Sequence, residues 1–262
     1  MITYSSIGHM GRLGNQLFEF AATIGTAIKN DMPYMFRPWY YNQFLQNPIP
    51  TDKNLKVPAK RFREQHYYYQ DIRLTEPTDL VGFFQSEKYF KHCESLIRYH
   101  FELRHDLRDY LKKKYKRMLD QKPCSLHVRL TDYLVRGNFA NLTKDYYKKA
   151  IRHVTEHFNN DPIFLIFSDD IKLAKRLYRS KRFVYIHEEL DILDMFLMSM
   201  CDSHIIANSS FSWWGAWLAN NQKVVAPERW YKGRKMNPNV PFIKGGWHEM
   251  RDLRPEPWVI ID

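Results

Sequence analysis

From Cys124 onward, short apolar runs alternate with amphipathic stretches, and no other feature of this chain constrains its fold as tightly. Strand-like runs fall at Ser125–Leu130, Ile163–Phe167, Phe183–Ile186, His204–Ala207 and Lys223–Ala226. Between them lie helical patterns at Thr143–Phe158, Ile171–Tyr178, Leu190–Cys201 and Phe211–Asn220. Thr143 is placed to cap the first helix, with Tyr146, Tyr147, Ile151 and Val154 along one face. Strands alternating with helices predict a parallel, doubly wound α/β sheet. In such sheets ligands sit outside the carboxyl ends of the strands. Three polar clusters fall at those ends: His127-Val128-Arg129-Leu130-Thr131-Asp132-Tyr133, Ser168-Asp169-Asp170, and Asn208-Ser209-Ser210.

The last cluster opens Asn208 to Ala219, where an apolar strand end, Ile205-Ile206-Ala207, meets an aromatic helix containing Trp213, Trp214 and Trp217. Hydroxyls and leading backbone N–H groups at a helix start favour an anion. The tryptophans pack that helix rigidly against its sheet. An ordinary Ser-capped core helix would read the same way.

The first half is less regular. Ile2 to Ile7 reads as a short strand running into Gly8-His9-Met10-Gly11-Arg12-Leu13-Gly14-Asn15-Gln16, and Leu17–Ile28 has helical apolar spacing. A strand, a Gly-rich turn and a helix bring backbone N–H groups against a phosphate, although the glycines do not match the dinucleotide fingerprint. Residues 31 to 80 are irregular and rich in Pro, Tyr and Asn; Tyr67-Tyr68-Tyr69 either lines a sugar site or covers a core edge, with the edge favoured. Leu80–Phe84 reads as a strand, Glu87–Tyr99 as a helix, and Asp106–Leu119 as a basic helix ended by Pro123. A domain boundary is expected near residue 120, giving domains 1–120 and 121–262.

Arg129 lies in an otherwise apolar strand, where a guanidinium calls for an anionic partner. That partner is either a ligand pyrophosphate held bidentately or, internally, Asp132. Asp169 and Asp170 can accept from a ribose or a base amine, or cap the following helix, which suits Asp170. No further carboxylates or histidines converge on them at a metal-ligand spacing, so no metal is expected. His9, His127 and His204 read as structural rather than catalytic.

The formal net charge of +11 admits nucleic acid, an anionic surface or a phosphorylated small molecule as partner. Lys112-Lys113-Lys114-Tyr115-Lys116-Arg117 reads as a solvated helix face, and with no recognition motif beside the charge, nucleic acid is not the expected partner. Cysteines 93, 124 and 201 are scattered and read as reduced, buried thiols in a cytosolic setting. There is no apolar run of about 18 residues and no secretory signal pattern at Met1-Ile2-Thr3-Tyr4. The expectation is a cytoplasmic protein, with peripheral membrane contact left open.

Gly11-Arg12-Leu13-Gly14-Asn15-Gln16-Leu17-Phe18, His127-Val128-Arg129-Leu130-Thr131-Asp132-Tyr133, Phe167-Ser168-Asp169-Asp170 and Asn208-Ser209-Ser210-Phe211-Ser212-Trp213-Trp214 occur in that order. Together they resemble the α-1,2-fucosyltransferase family, glycosyltransferase family 11, from near residue 8 to about residue 227. The resemblance implies a GT-B-type fold of two Rossmann-like domains, a GDP-fucose donor, a galactoside acceptor, and inverting transfer without a metal or other cofactor. It implies catalytic roles for Arg129 and Asp132. Donor contacts would come from Gly14, Asn15, Gln16, His127, Arg129, Ser168, Asp169, Asp170, Asn208, Ser209 and Ser210. The family usually carries two adjacent arginines where this chain has Arg129 and Leu130, so a second phosphate contact must come from elsewhere or be missing.

Two other readings follow. One is a binding module that keeps a nucleotide or glycan site without transfer; the other is a transferase using a different nucleotide sugar. Acceptor specificity is expected in residues 31 to 80 and in the tail through Trp247 and Trp258. The residues do not name a general base.

Overall fold

In the second half of the chain, six strands form one parallel sheet. They are β4 (Cys124–Val128), β5 (Phe164–Ser168), β6 (Phe183–Tyr185), β7 (Ser203–Ile205), β8 (Val224–Pro227) and β9 (Val259–Ile261). Across the sheet they stand in the order β6-β5-β4-β7-β8-β9. The protein is described from a computed structural model that covers residues 1–130, 140, 142–187, 189–231 and 252–262. Strands β4, β7 and β8 are buried at every position, as a sheet covered on both faces requires.

Between the strands run α5 (Lys144–His153), α6 (Ile171–Leu177), α7 (Asp191–Ser199) and α8 (Ser210–Leu218). From β4 the chain winds outward through α5, β5, α6 and β6. It then returns beside β4 at β7 and winds the other way through α8 to β8. Right-handed crossovers place α5 and α6 on one face and α7 and α8 on the other. Packing agrees: the Tyr147 ring meets the Tyr178 ring at 5.1 Å. On the other face a Cβ at Gly215 would lie 2.9 Å from Met198 Cβ, so α8 sits tightly on α7. Trp213 and Trp214 are fully buried there, and Trp213 also packs against Trp258 at 5.6 Å. Trp258, read from sequence as part of a specificity tail, thus belongs to the packing under α8.

The first half holds a smaller parallel sheet built from β1 (Ile2–Thr3), β2 (Arg61–Arg63) and β3 (Thr78–Val81), in the order β1-β3-β2. Helix α1 (Leu13–Lys29) is buried over most of its length. A Cβ at Gly25 would lie 2.1 Å from the Tyr89 carbonyl oxygen, so glycine permits that close approach. Where one helix is expected over Glu87–Tyr99, two 3-10 turns precede α2 (Glu94–His100). Phe90, at φ −133°, breaks the helical run between them. The basic stretch forms α3 (His105–Lys114) and the short α4 (Lys116–Leu119).

Two compact units result. One is Met1–His105 with the described residues of Arg234–Pro255; the other is the described residues of Asp106–Gly233 with Glu256–Asp262. Tyr67-Tyr68-Tyr69 belongs to the first. Tyr67 is buried, Tyr69 stacks edge-on to Tyr89 at 4.9 Å, and the Tyr69 N–H donates to Asp252 at 3.0 Å. The three cysteines are free, with Cys124 and Cys201 buried. No described helix is long and apolar enough to cross a membrane.

Candidate active site

The strand order reverses between β4 and β7, and the crevice outside their carboxyl ends is where a doubly wound sheet receives a ligand. Residues 127–130 end β4, 168–170 end β5, and 206–209 follow β7, so the three polar clusters of the sequence share this edge of the second unit.

Arg129 is the charged group at the tip of β4. Its side chain is 12% exposed, and its Nε lies 3.3 Å from Asp169 Oδ2 at the tip of β5. The other oxygen of the same carboxylate accepts the Leu130 N–H at 2.9 Å. One aspartate therefore fixes both the guanidinium and the backbone beside it. The Nε contact engages one of the five guanidinium N–H donors. Leu130, standing where a second arginine is usual, turns its side chain into the core cluster with Leu126, Tyr146 and Tyr147. Asp132 lies outside the described residues.

His127 connects β4 to α8. Its Nδ1 is 2.9 Å from Ser212 Oγ, which also accepts the Ala207 N–H at 3.2 Å. Burial, and after it the positive charge of Arg129, pushes the His127 pKa down to about 3, with Asp169 opposing. The ring is therefore neutral and positions its neighbours. The backbone around it is pinned by two tyrosines of α5: Tyr147 OH donates to the His127 carbonyl at 3.1 Å, and Tyr146 OH to the Ile206 carbonyl at 2.7 Å. His204 is likewise neutral, pushed down to about 3 by burial. Its Nε2 faces Asn221 Nδ2 at 3.1 Å and its Nδ1 faces Ser125 Oγ at 2.8 Å. The amide nitrogen can only donate, so the ring proton sits on Nδ1 and is given to Ser125. His9 is exposed on the Gly-rich turn.

At the start of α8, Ser209 is the N-cap residue but makes no side-chain cap hydrogen bond. Thr143 and Asp170 behave differently: Thr143 Oγ1 accepts from Tyr146 N at 3.3 Å, and Asp170 Oδ1 from Leu173 N at 2.8 Å. Ser168 Oγ accepts the Asp170 N–H at 3.1 Å. The leading N–H groups of α8 are those of Ser210 and Phe211, and both residues are partly exposed. Asn208 is fully buried, and its Nδ2 donates to the carbonyls of Ala140 and Trp230 at 2.9 and 2.8 Å. Its amide nitrogen holds two neighbouring segments of chain.

Gly14, Asn15 and Gln16 lie in the first unit, at the start of α1. The Arg12 carbonyl accepts both Asn15 N and Gln16 N, at 2.9 and 3.1 Å, which leaves Leu13 and Gly14 to lead the helix. Gln16 is buried: Oε1 accepts Trp39 Nε1 at 2.7 Å and Nε2 donates to the Gly11 carbonyl at 3.2 Å. Asn15 Oδ1 accepts Gln85 Nε2 at 2.8 Å. Gly11 takes φ +69°, and a Cβ there would strike the Asn15 side chain at 2.3 Å, so the turn needs glycine at that position. Among the described residues there is no group of three or more His, Cys, Asp or Glu side chains placed to hold a metal.

Ser212, Tyr146, Tyr147 and Trp230 shape this edge without having been singled out for it in the sequence. Nothing local marks them, because each acts through a contact made across the fold.

The family model of glycosyl transferase family 11 matches residues 2–251. The alpha-1,2-colitosyltransferase of Escherichia coli is 31% identical over 96% of this chain and 97% of its own length. The Escherichia coli O-antigen biosynthesis glycosyltransferase WbnK is 33% identical over 87% of this chain and 72% of its own length. In structure, NodZ alpha-1,6-fucosyltransferase soaked with GDP-fucose superposes with a TM-score of 0.55 at 14% identity, covering 83% of this chain and 91% of that one. The chain belongs to glycosyl transferase family 11. It is a glycosyltransferase with a GT-B-type fold, the architecture of its fucosyltransferase structural neighbours.

Proposed function

We propose that the chain transfers L-fucose from GDP-fucose to the 2-hydroxyl of a galactoside, with inversion at the anomeric carbon and without a metal ion. The observation that carries this reading is Arg129, a cation held by Asp169 at the switch point of the sheet, beside the N-terminus of α8. Breaking the bond between the sugar and GDP builds positive charge on the sugar and negative charge on the departing diphosphate. A fixed guanidinium and leading helix N–H groups stabilise that negative charge where a metal would otherwise act. The acceptor oxygen forms its bond to the anomeric carbon from the opposite face and gives up its proton. By motif, Ser209, Ser210 and the Gly14–Gln16 turn join Arg129 in this role on the donor side, and Asp132 is the second catalytic residue. Asp169 orients Arg129, and Asp170 and Ser168 shape the start of α6.

The four ordered motifs support fucose as the sugar, and so does the likeness in fold to NodZ, a fucosyltransferase whose crystals were soaked with GDP-fucose. A second reading has its own support. The relative matched over nearly its full length is a colitosyltransferase, and colitose is fucose without its 3-hydroxyl. Steady-state rates with GDP-fucose and GDP-colitose on one galactoside acceptor separate the two. Fucose is the donor sugar if its kcat/KM is the larger and the product is α-1,2-linked by NMR. A larger kcat/KM for GDP-colitose replaces it. A site that hydrogen-bonds the 3-hydroxyl would favour fucose by roughly 10⁴-fold, whereas an apolar pocket would discriminate only about 10²-fold.

A further inference from the structure

Between Asp170 and Glu188 the chain has six basic residues, Lys172, Lys175, Arg176, Arg179, Lys181 and Arg182, and no carboxylate. This one segment therefore carries +6 against a net charge of +11 for the whole chain. It forms α6, the following turn and β6, the strand at one end of the six-stranded sheet. Lys172, Lys175, Arg176, Arg179 and Lys181 are all exposed. Lys175 lies 5.5 Å over the Tyr185 ring, which holds α6 to the edge strand. Arg182 is the member with a carboxylate, Asp161 at 2.9 Å.

Lys172 opens α6 beside Asp170, but Arg179, Lys181 and Arg182 are separated from the donor site. The turn 178–182 precedes β6, so it lies at the amino edge of the parallel sheet, opposite the carboxyl ends where Arg129 stands. A second basic group reaches the same edge. Lys116, Arg117 and Lys122 lead into β4; the Lys122 carbonyl accepts Asn159 Nδ2 at 2.8 Å, and Asn159 is two residues from the Asp161 that pairs with Arg182. Lys116 pairs with Asp120 at 2.9 Å. At this edge Arg179, Lys181, Arg182, Lys116, Arg117 and Lys122 stand with Asp120, Asp161 and Asp202, and each of these three carboxylates has a cation partner. Charges on an edge strand can serve only to block strand pairing, but β6 itself, Phe183-Val184-Tyr185, carries none. The charge is on the flanking helix and turns.

We propose that this amino edge is a docking surface for an anionic phospholipid bilayer, with the donor site opening on the far side of the sheet. Several exposed cations on one face are drawn to an anionic lipid surface, each strengthening binding by about fivefold. The large exposed apolar residues, such as Tyr40, Tyr99 and Leu190, lie outside the segment Lys172–Arg182. The attachment is therefore electrostatic and reversible, without an inserted wedge. Nucleic acid is disfavoured because, among the described residues, no large exposed aromatic lies within Lys172–Arg182 to stack a base.

The test is sedimentation of the full chain with vesicles of phosphatidylcholine alone or mixed with phosphatidylglycerol, across a salt series. Binding is expected to the mixed vesicles only, falling as salt rises. Replacing Arg176, Arg179 and Lys181 together with Ala should weaken it about 10²-fold. That variant keeps its transfer rate on a soluble acceptor, which also confirms that it folds. A control with Lys53→Ala and Lys56→Ala, exposed lysines of the first unit, should bind as the unaltered chain does. Any of four results overturns the proposal: no binding to mixed vesicles, equal binding to phosphatidylcholine, no loss in the triple variant, or an equal loss in the control. Displacement from the vesicles by a lower concentration of single-stranded RNA would make nucleic acid the partner instead.

Discussion

Replacing Arg129 with Ala lowers turnover by about 10²-fold or more, read as GDP release in the presence of an acceptor. The guanidinium is held on one side by Asp169, so it needs no reorganisation when charge develops on the leaving diphosphate. A preorganised donor of that kind is stronger in the transition state than in the ground state, and its loss falls on kcat more than on KM. Arg129→Lys keeps the charge but not the planar fork, so its activity should fall between the two. Asp169 still accepts the Leu130 N–H in either variant, which keeps the tip of β4 anchored while the guanidinium is removed. Circular dichroism unchanged beside a turnover loss of the stated size is the expected pair of results. Unchanged turnover in Arg129→Ala would remove the residue from the mechanism.

Trp213→Ala destabilises the second unit by about 3–5 kcal/mol, the cost of deleting a large buried ring from a packed core. Trp213 has no exposed surface, and its ring touches Trp214 at 4.9 Å, Trp217 at 6.2 Å and Trp258 at 5.6 Å. The start of α8 is held in place by this cluster, so structural stability and the donor site share one anchor. Against a typical domain stability of about 5–15 kcal/mol, the loss is large enough to read as a shift in the urea midpoint. Trp213→Phe retains an aromatic ring and should cost less. A midpoint shift worth under about 1 kcal/mol for Trp213→Ala would mean that α8 is held by other contacts.

What the sequence made legible follows from how locally each signal is encoded. Strands β4, β5 and β8 stand out because a sheet buried on both faces writes its strands as near-continuous apolar runs. The caps at Thr143 and Asp170 were legible because their acceptors lie within three residues of the N–H groups they receive. Strand β2 was not: Arg61-Phe62-Arg63 is short and charged, and its partner β3 is more than a dozen residues away. Strand β9 follows the same rule, since Val259-Ile260-Ile261 reads as a tail until it pairs with β8.

In the candidate site, the sequence marked which polar groups reach the carboxyl edge but not which way they turn. Asn208 bonds to carbonyls 68 and 22 residues distant, and Gln16 to an indole 23 residues away. A buried amide that holds backbone and one that reads a ligand are spelled identically in sequence. Arg129 was different, because a guanidinium in an apolar strand needs an anionic partner wherever it points. Asp169 supplies one such partner, from across the sheet.

The most direct measurement is GDP release from GDP-fucose by the full chain, with and without a β-galactoside acceptor, in the presence of a chelator. Release that depends on the acceptor and is unaffected by the chelator is the result expected of a site built on Arg129 and the α8 N-terminus. Release abolished by the chelator and restored by a divalent cation would contradict it, as would GDP binding with no transfer to any galactoside.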